Sequence, residues 1–508
     1  MDCEVSFAEL DKRSLQFAIY LQQLGLKKGA RVAIMMPNLL QYPIALFGIL
    51  RAGLIVVNTN PLYTSDELTH QLNDAGAEAI VVLANFAHTV EATIPRSPSL
   101  KHVIVTQIGD AFPAVKRVIV NAVVKYIKKM VPAYNIPNAI SFNHALQQGE
   151  HGKLRKPKLT LEDIGFLQYT GGTTGVAKGA MLTHGNLIAN VLQASAWISP
   201  LNINGDDIII TALPLYHIFS LTANCLTFLK EGARNILITN PRDISNFIKE
   251  IKSTKFTTIT GVNTLFNALL NHPSFADIDF SKLKLSLAGG MALQKAVALK
   301  WHEKTNSRIL EAYGLTETSP AVTINPMYLS DYNGSIGLPL PSTDISIRDE
   351  DGQEVGLGDK GELCIKGPQV MPGYWKNEAE TANVFWTDGF LRTGDIATMD
   401  EKGFIYLVDR IKDMILVSGF NVYPTEIEQV ISMQPGVLEV GVIGVPDGNS
   451  GEKVKACIVK RDDASLTEEE VIAHCREHLT AYKVPKVVEF YSELPKTNVG
   501  KILRRALR

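Results

Sequence analysis

Cysteine is scarce in this sequence, with five in 508 residues. Cys3, Cys225, Cys364, Cys457 and Cys475 are scattered, without the paired spacing of a zinc site or a disulfide framework, so a reducing cytosol fits best. A dominant charge is also lacking: the formal net charge is -2, which argues against a nucleic-acid binder working through bulk electrostatics. No apolar run is long enough to span a bilayer, since "YPIALFGILRAGLIVV" is broken by Arg51 and Gly53. The opening "MDCEVSFAEL" shows no signal-peptide pattern. A serine-esterase G-x-S-x-G is missing as well.

What is present is regular alternation. Ser6 to Glu9 reads as a capping box that opens an amphipathic helix closed by Gly25, and "RVAIMM" follows as a buried strand. "PNLLQYPIALFGILRAG" and "SDELTHQLNDAGA" read as helices between the strands "LIVVNTN", "AEAIVVL" and "HVIVTQ". This spells βαβ units, hence an α/β chain with a mostly parallel sheet covered on both faces. After about Asp409 the pattern changes: "VLEVGVIGV", "EKVKACIVK" and "KVVEFY" are strands around the helical "TEEEVIAHCREHL". The expected division is a large domain over 1–409 and a small α+β domain over 410–508, an ordinary domain size.

"YTGGTTGVAKG", Tyr169 to Gly179, connects the probable strands "IGFLQY" and "GAMLT". Its glycines are spaced wrongly for a Walker A loop, and no helix follows at once. The physics is similar nonetheless. Glycine lets a backbone approach phosphate closely, Thr170, Thr173 and Thr174 add hydroxyl donors, and Lys178 supplies a mobile cation. Two other patterns mislead. "GLGDKG", Gly356 to Gly361, matches a dinucleotide fingerprint formally but lies in a polar turn between strands, not between a strand and a helix. "HCREH" puts His474 and His478 on one helix face beside Cys475, where a solvated face is the better reading than a metal pair.

Four further stretches carry chemistry: "EAYGLTET" (Glu311 to Thr318), "RTGD" (Arg392 to Asp395), "DRIKDMILVSGFNVYP" (Asp409 to Pro424) and "LPKTNVGKILRR" (Leu494 to Arg505). Singly, most of these charged residues would be read as solvated. Together with the glycine-rich loop they resemble, in order and character, the core motifs of the acyl-adenylate-forming superfamily. "MMPNLLQYPIALFGILRAG", "IKGPQVM" and "GVNTLFNALL" look most like bacterial long-chain fatty-acid CoA ligases.

The resemblance implies luciferase-like α/β subdomains, a mobile C-terminal domain, and two half-reactions: a carboxylate and ATP give acyl-AMP and pyrophosphate, and the CoA thiol then displaces AMP. It implies that Tyr169, Thr170, Gly171, Gly172, Thr173, Thr174, Gly175 and Lys178 wrap the phosphates, and that Thr170 and Glu317 hold Mg²⁺. Thr316 touches the α-phosphate, and Lys501 reaches both the carboxylate and the α-phosphate. Asp395 and Arg410 take the ribose and Tyr313 stacks on adenine, with Gly289, Gly290 and Gly314 in the nucleotide site. Lys412 is the hinge, and Gly419 meets the CoA pantetheine after rotation. His217 orients thioester formation or merely packs. Phe219, Val262, Leu265 and Met291 are nominated as acyl-pocket lining.

Family members usually begin a few dozen residues before the "F-x-E-L" at Phe7 to Leu10, so a truncated or alternative start is expected. "KRVIVNAVVKYIKKMV", Lys116 to Val131, reads as one basic amphipathic helix. It suits peripheral contact with an anionic membrane, on the cytoplasmic face, and equally packing on its own domain. The expected partners are a fatty acid, ATP and CoA, with an oligomer left open. A non-catalytic sensor and an acyl-AMP ligase serving a carrier protein are the competing classes.

Overall fold

The computed structural model describes residues 3–170, 177–448, 450–461, 464–497 and 499–508. Its first helix, Phe7–Gln23, starts where the Ser6 hydroxyl accepts the Glu9 N–H at 3.2 Å and ends before Gly25, whose φ of +81° only glycine adopts freely. The strands that follow, Arg31–Met35, Ile55–Asn58 and Ala79–Leu83, are apolar nearly throughout because helices cover both faces of their sheet. That sheet has seven strands and is parallel from Ile140–Ser141 across to Ile164–Thr170; Lys178–Thr183 is added antiparallel at its edge.

A second seven-stranded sheet runs in parallel through Arg234–Leu237, Ile208–Thr211, Thr258–Gly261, Leu285–Gly289 and Ile309–Gly314. Ala321–Ile324 and Leu338–Pro339 extend it antiparallel. Each sheet has its own apolar core. Among the described residues no helix is long and apolar enough to cross a membrane, and all five cysteines are free thiols.

Antiparallel pairing begins earlier than the sequence pattern suggests. Asp344–Arg348, Gly361–Lys366, Leu391–Met399 and Ile405–Arg410 form a four-stranded sheet, so the first wholly antiparallel sheet opens at Asp344, ahead of Asp409. "GLGDKG" ends the connection over 349–360, which is made of turns with no helix and so returns the chain to an antiparallel neighbour instead of carrying it across the sheet as a helical crossover would. The last sheet gathers Ile415–Val417, Phe420–Val422, Val437–Asp447, Gly451–Lys460 and Val487–Tyr491, packed on helices Pro424–Ser432 and Glu468–His478.

Two helical readings are refined. The segment expected as one helix from Lys116 to Val131 is a helix over Ala114–Ala122 that widens to a π turn over Val123–Ile127, and none of its side chains is buried. Its apolar side chains Ile119, Tyr126, Ile127 and Met130 are exposed, while Val131 packs against a core of the first sheet. In "HCREH" the ligand atoms of His474, Glu477 and His478 lie within 4.8 Å of one another. Both imidazoles are engaged with backbone carbonyls, His474 with Val430 at 3.0 Å and His478 with His474 at 2.9 Å, and Cys475 is buried.

Candidate active site

The carboxyl ends of the second sheet's strands open into a cavity of about 1130 Å³, walled on its other side by the C-terminal segment. Ligands in open parallel sheets bind at such strand ends, because the loops there diverge and leave a crevice. Gly289 and Gly290 close the strand Leu285–Gly289, and Gly290 turns at φ +80°. Gly314 ends Ile309–Gly314 at a point where no side chain fits: a Cβ there would stand 1.8 Å from the Pro320 carbonyl oxygen. The next turn, Thr316–Thr318, delivers Thr316 and Glu317 to the cavity wall, and Thr170 reaches it from the first sheet.

Asp395 and Arg410 are cross-strand partners, so the sheet register alone brings them together. Arg410 Nε lies 3.0 Å from Asp395 Oδ1, and the Tyr313 hydroxyl donates to Asp395 Oδ2 at 2.6 Å. The carboxylate raises the Arg410 guanidinium, while burial and then Asp395 push the Tyr313 hydroxyl far up, so the arginine stays charged and the tyrosine neutral.

Lys501 enters from the C-terminal tail. Its backbone N–H donates to Thr497 Oγ1 at 3.1 Å, and the Gly500 carbonyl accepts from Thr264 Oγ1 of the large domain at 2.9 Å. Burial, and then the Arg410 charge, pull the Lys501 ammonium down to about 8. His217 is held neutral: burial, with Lys501 as second cause, lowers its imidazole to about 4. Its Nδ1 accepts the Phe219 N–H at 3.3 Å, which leaves Nε2 carrying the proton.

The segment between the sheets is pinned from both sides. Lys412 sits in the single turn Ile411–Asp413 and lines the cavity. Asp409, before it, accepts the Thr425 N–H at 2.7 Å and Arg504 Nη1 at 3.2 Å. Arg504 also meets Asp413 at 3.0 Å and Glu428 at 2.8 Å. Burial draws the Arg504 guanidinium down, but Glu428, Asp409 and Asp413 outweigh it and hold it above its ordinary value.

Several expected residues stand elsewhere. Gly171, Gly172, Thr173, Thr174 and Gly175 lie outside the described residues. Lys178 does not line the cavity; it is turned onto Glu380 in a short ion pair, with its Nζ 5.4 Å from the centre of the Tyr374 ring. The Tyr169 hydroxyl donates to Asp74, a close contact that holds this lining residue in place. Gly419, at φ +83° in a hairpin turn, is not part of the wall in this pose. Phe219, Val262 and Met291 line the cavity, but Leu265 does not, a correction that follows from its helix: Asn263–Leu270 turns it inward against Gly261.

Motif reasoning passed over Arg504, Glu311 and Tyr374. The first two stand inside the motifs named above: the fold ties Arg504 to Asp409, Asp413 and Glu428, and burial raises the Glu311 carboxyl to about 8, so it is neutral at pH 7. Tyr374 follows "IKGPQVM" by three residues, and nothing in the sequence marks it.

A family described as AMP-binding enzyme matches residues 1–375, and its C-terminal domain matches residues 426–501. The chain belongs to the AMP-binding enzyme family. Within this family it is 61% identical over 505 residues to a long-chain-fatty-acid--CoA ligase of Yersinia pestis, covering 99% of this chain and 89% of that protein. A protein of the same description from Bacillus subtilis is 40% identical over 99% of the chain and 90% of its own length. Among solved AMP-binding enzymes, ATP-bound MatB from Rhodopseudomonas palustris superposes with a TM-score of 0.86 at 30% identity, covering 99% of this chain and 93% of that one. The anthranilate CoA ligase AuaEII in complex with anthranoyl-AMP superposes at 0.87 with 27% identity, over 99% and 91%.

Proposed function

We infer that this chain is an AMP-forming long-chain fatty-acid CoA ligase. The observation that carries the reading is the convergence of Lys501, Arg410, Asp395, Thr316 and Glu317 on one cavity whose far wall is apolar, with Phe219, Phe228, Val262, Leu285, Leu287 and Met291. In the first half-reaction a carboxylate oxygen attacks the α-phosphorus of ATP; the acyl–phosphate bond forms and the bond to the pyrophosphate leaving group breaks. Negative charge gathers at the α-phosphate, and fixed cations there lower the barrier without reorganisation. Lys501 bridges the incoming carboxylate and the α-phosphate, a role for a flexible ammonium with three donors. Thr316 donates to the α-phosphate. Asp395, fixed by Tyr313 and Arg410, accepts the ribose hydroxyls, and the Tyr313 ring covers the adenine. Lys178 and the glycine-rich loop take the β- and γ-phosphates.

Glu317 and Thr170 offer a carboxylate and a hydroxyl from opposite sheets to the same cavity, oxygen donors of the kind a hard divalent cation prefers. Mg²⁺ held there would neutralise charge on the phosphate oxygens. In the second half-reaction the CoA thiol attacks the acyl carbon and AMP leaves. Lys501 occupies the space a thiol needs, so the small domain, taken as 410–508, turns about Lys412 between the steps and brings Gly419 towards the pantetheine. His217, neutral and half-buried at the junction of phosphate site and apolar wall, orients the thioester-forming step. The protein is cytoplasmic and touches an anionic membrane face through the exposed helix Ala114–Ala122 and its π turn.

Incubation with ATP, Mg²⁺, CoA and a panel of acids, followed by mass spectrometry, tests the reading. Palmitate or oleate is expected to give acyl-CoA, AMP and pyrophosphate. Turnover of aromatic or short acids alone would overturn the long-chain assignment, and transfer only to a carrier protein would replace the CoA half.

A further inference from the structure

The stretch from Met371 to Trp375 touches both arms of the phosphate site without itself belonging to a core motif. It runs as an extra edge beside the strand Lys178–Thr183: the Met181 N–H donates to the Gly373 carbonyl at 3.0 Å, the Trp375 N–H to the Gly179 carbonyl at 2.8 Å, and Ala180 and Tyr374 pair antiparallel. On its other side the Met371 N–H donates to the Glu317 carbonyl at 2.8 Å. Tyr374 makes the contacts that count. Its hydroxyl donates to Glu317 Oε1 at 2.6 Å, its ring lies under the Lys178 ammonium, and its backbone N–H donates to Thr381 Oγ1 at 2.9 Å, one residue from the Lys178 partner Glu380.

We propose that Tyr374 is a positioning residue for the metal-bridged phosphates: its hydroxyl fixes the Glu317 carboxylate so that one oxygen is committed to the tyrosine and the other faces the cation. A free glutamate samples several rotamers, and fixing it before the ligand arrives saves side-chain entropy on binding. Metal-ligating carboxylates are usually oriented by such a hydrogen bond, and losing it typically weakens the metal by about tenfold or more. The tyrosine can play this part because it is only 8% exposed and is held from both sides, its hydroxyl on the Glu317 carboxylate and its backbone N–H on Thr381 Oγ1. The same ring fixes the height of Lys178, so one side chain couples the cation and the carboxylate of a single phosphate site. The proposal rests on the reading of Glu317 as a ligand to the cation.

Calorimetric titration of Mg²⁺ into enzyme and ATP, with no fatty acid present, reads binding without turnover. Tyr374→Phe keeps the ring under Lys178 and removes one hydroxyl. It is expected to raise the Mg²⁺ concentration for half-maximal ATP binding about tenfold, to leave metal-free ATP binding unchanged and to melt near the parent temperature. Glu317→Gln is expected to raise the Mg²⁺ requirement as well, and Tyr374→Phe added to it should have little further effect, because the two act through one carboxylate. If Glu317→Gln shifts the Mg²⁺ dependence and Tyr374→Phe does not, the positioning role is wrong while the ligand reading stands. If neither does, the ligand reading falls and takes the proposal with it. Equal weakening with and without Mg²⁺ by Tyr374→Phe would mark a loosened fold and overturn the proposal too.

Discussion

Lys501 shows how a position decides a chemical role. On a solvated tail it would be one of 50 basic residues; half-buried in the cavity beside Arg410, it loses part of its hold on the proton and its ammonium is pulled down to about 8. The charge that the proposed role in adenylation requires is therefore present at neutral pH and is lost as pH rises through about 8. The kcat/KM for pyrophosphate release, which reports free-enzyme groups, should accordingly fall on the alkaline side with an apparent pKa near that value. Lys501→Ala should lower pyrophosphate release about a hundredfold or more while the variant still converts supplied acyl-AMP and CoA to thioester. Separate assays of pyrophosphate and acyl-CoA, started from ATP or from synthetic acyl-AMP, check both statements. Equal loss of the two steps in a folded variant would contradict the assignment.

Among the elements, Ala114–Ala122 with its π turn stands out because it buries nothing. Val115, Val118, Ile119, Tyr126, Ile127 and Met130 are all more than half exposed. From Ala111 to Gly149 the sequence holds five cations, Lys116, Arg117, Lys125, Lys128 and Lys129, and no aspartate or glutamate. Apolar side chains that insert between headgroups, ringed by cations each worth about 1 kcal/mol at an anionic surface, favour a bilayer carrying negative charge. The protein is expected to float with vesicles containing phosphatidylglycerol and not with phosphatidylcholine alone. Ile119→Glu with Ile127→Glu should abolish flotation and leave the melting temperature close to that of the parent, since neither side chain supports a core. Flotation indifferent to anionic lipid would remove the membrane reading.

At the scale of the whole molecule, the cavity is a joint. Gly500 and Thr264 meet across it, as do the Leu438 carbonyl and Asn267 Nδ2 at 2.8 Å, while Asp409 is bonded to both Thr425 and Arg504. The proposed rotation about Lys412 would break these contacts together. A Cβ at Gly500 would stand 3.0 Å from Thr264 Oγ1, close enough for a disulfide between Thr264→Cys and Gly500→Cys. The new cysteine adopts φ +85° at a cost on the order of 1–3 kcal/mol, which a cross-link can outweigh. The oxidised enzyme should release pyrophosphate in a single burst and form no acyl-CoA, and a reductant should restore thioester formation. Full acyl-CoA production by the cross-linked form would show that one pose serves both steps.

The sequence by itself determined the α/β class, the alternation of the first sheet and the order of the motifs, because each rests on local signals: apolar runs, caps and glycine-rich turns. It also led to the expectation that Asp395 and Arg410 act together, and the sheet register makes them cross-strand partners. Only the tertiary structure decided where antiparallel pairing begins, that Leu265 turns into the core, that Lys178 rests against Glu380 and that Tyr374 grips Glu317. These depend on contacts between residues far apart in the chain, 57 positions for Tyr374 and Glu317, and on burial, which turns an ordinary tyrosine or lysine into one with an altered proton affinity. Neither separation nor burial is written in any local pattern of residues.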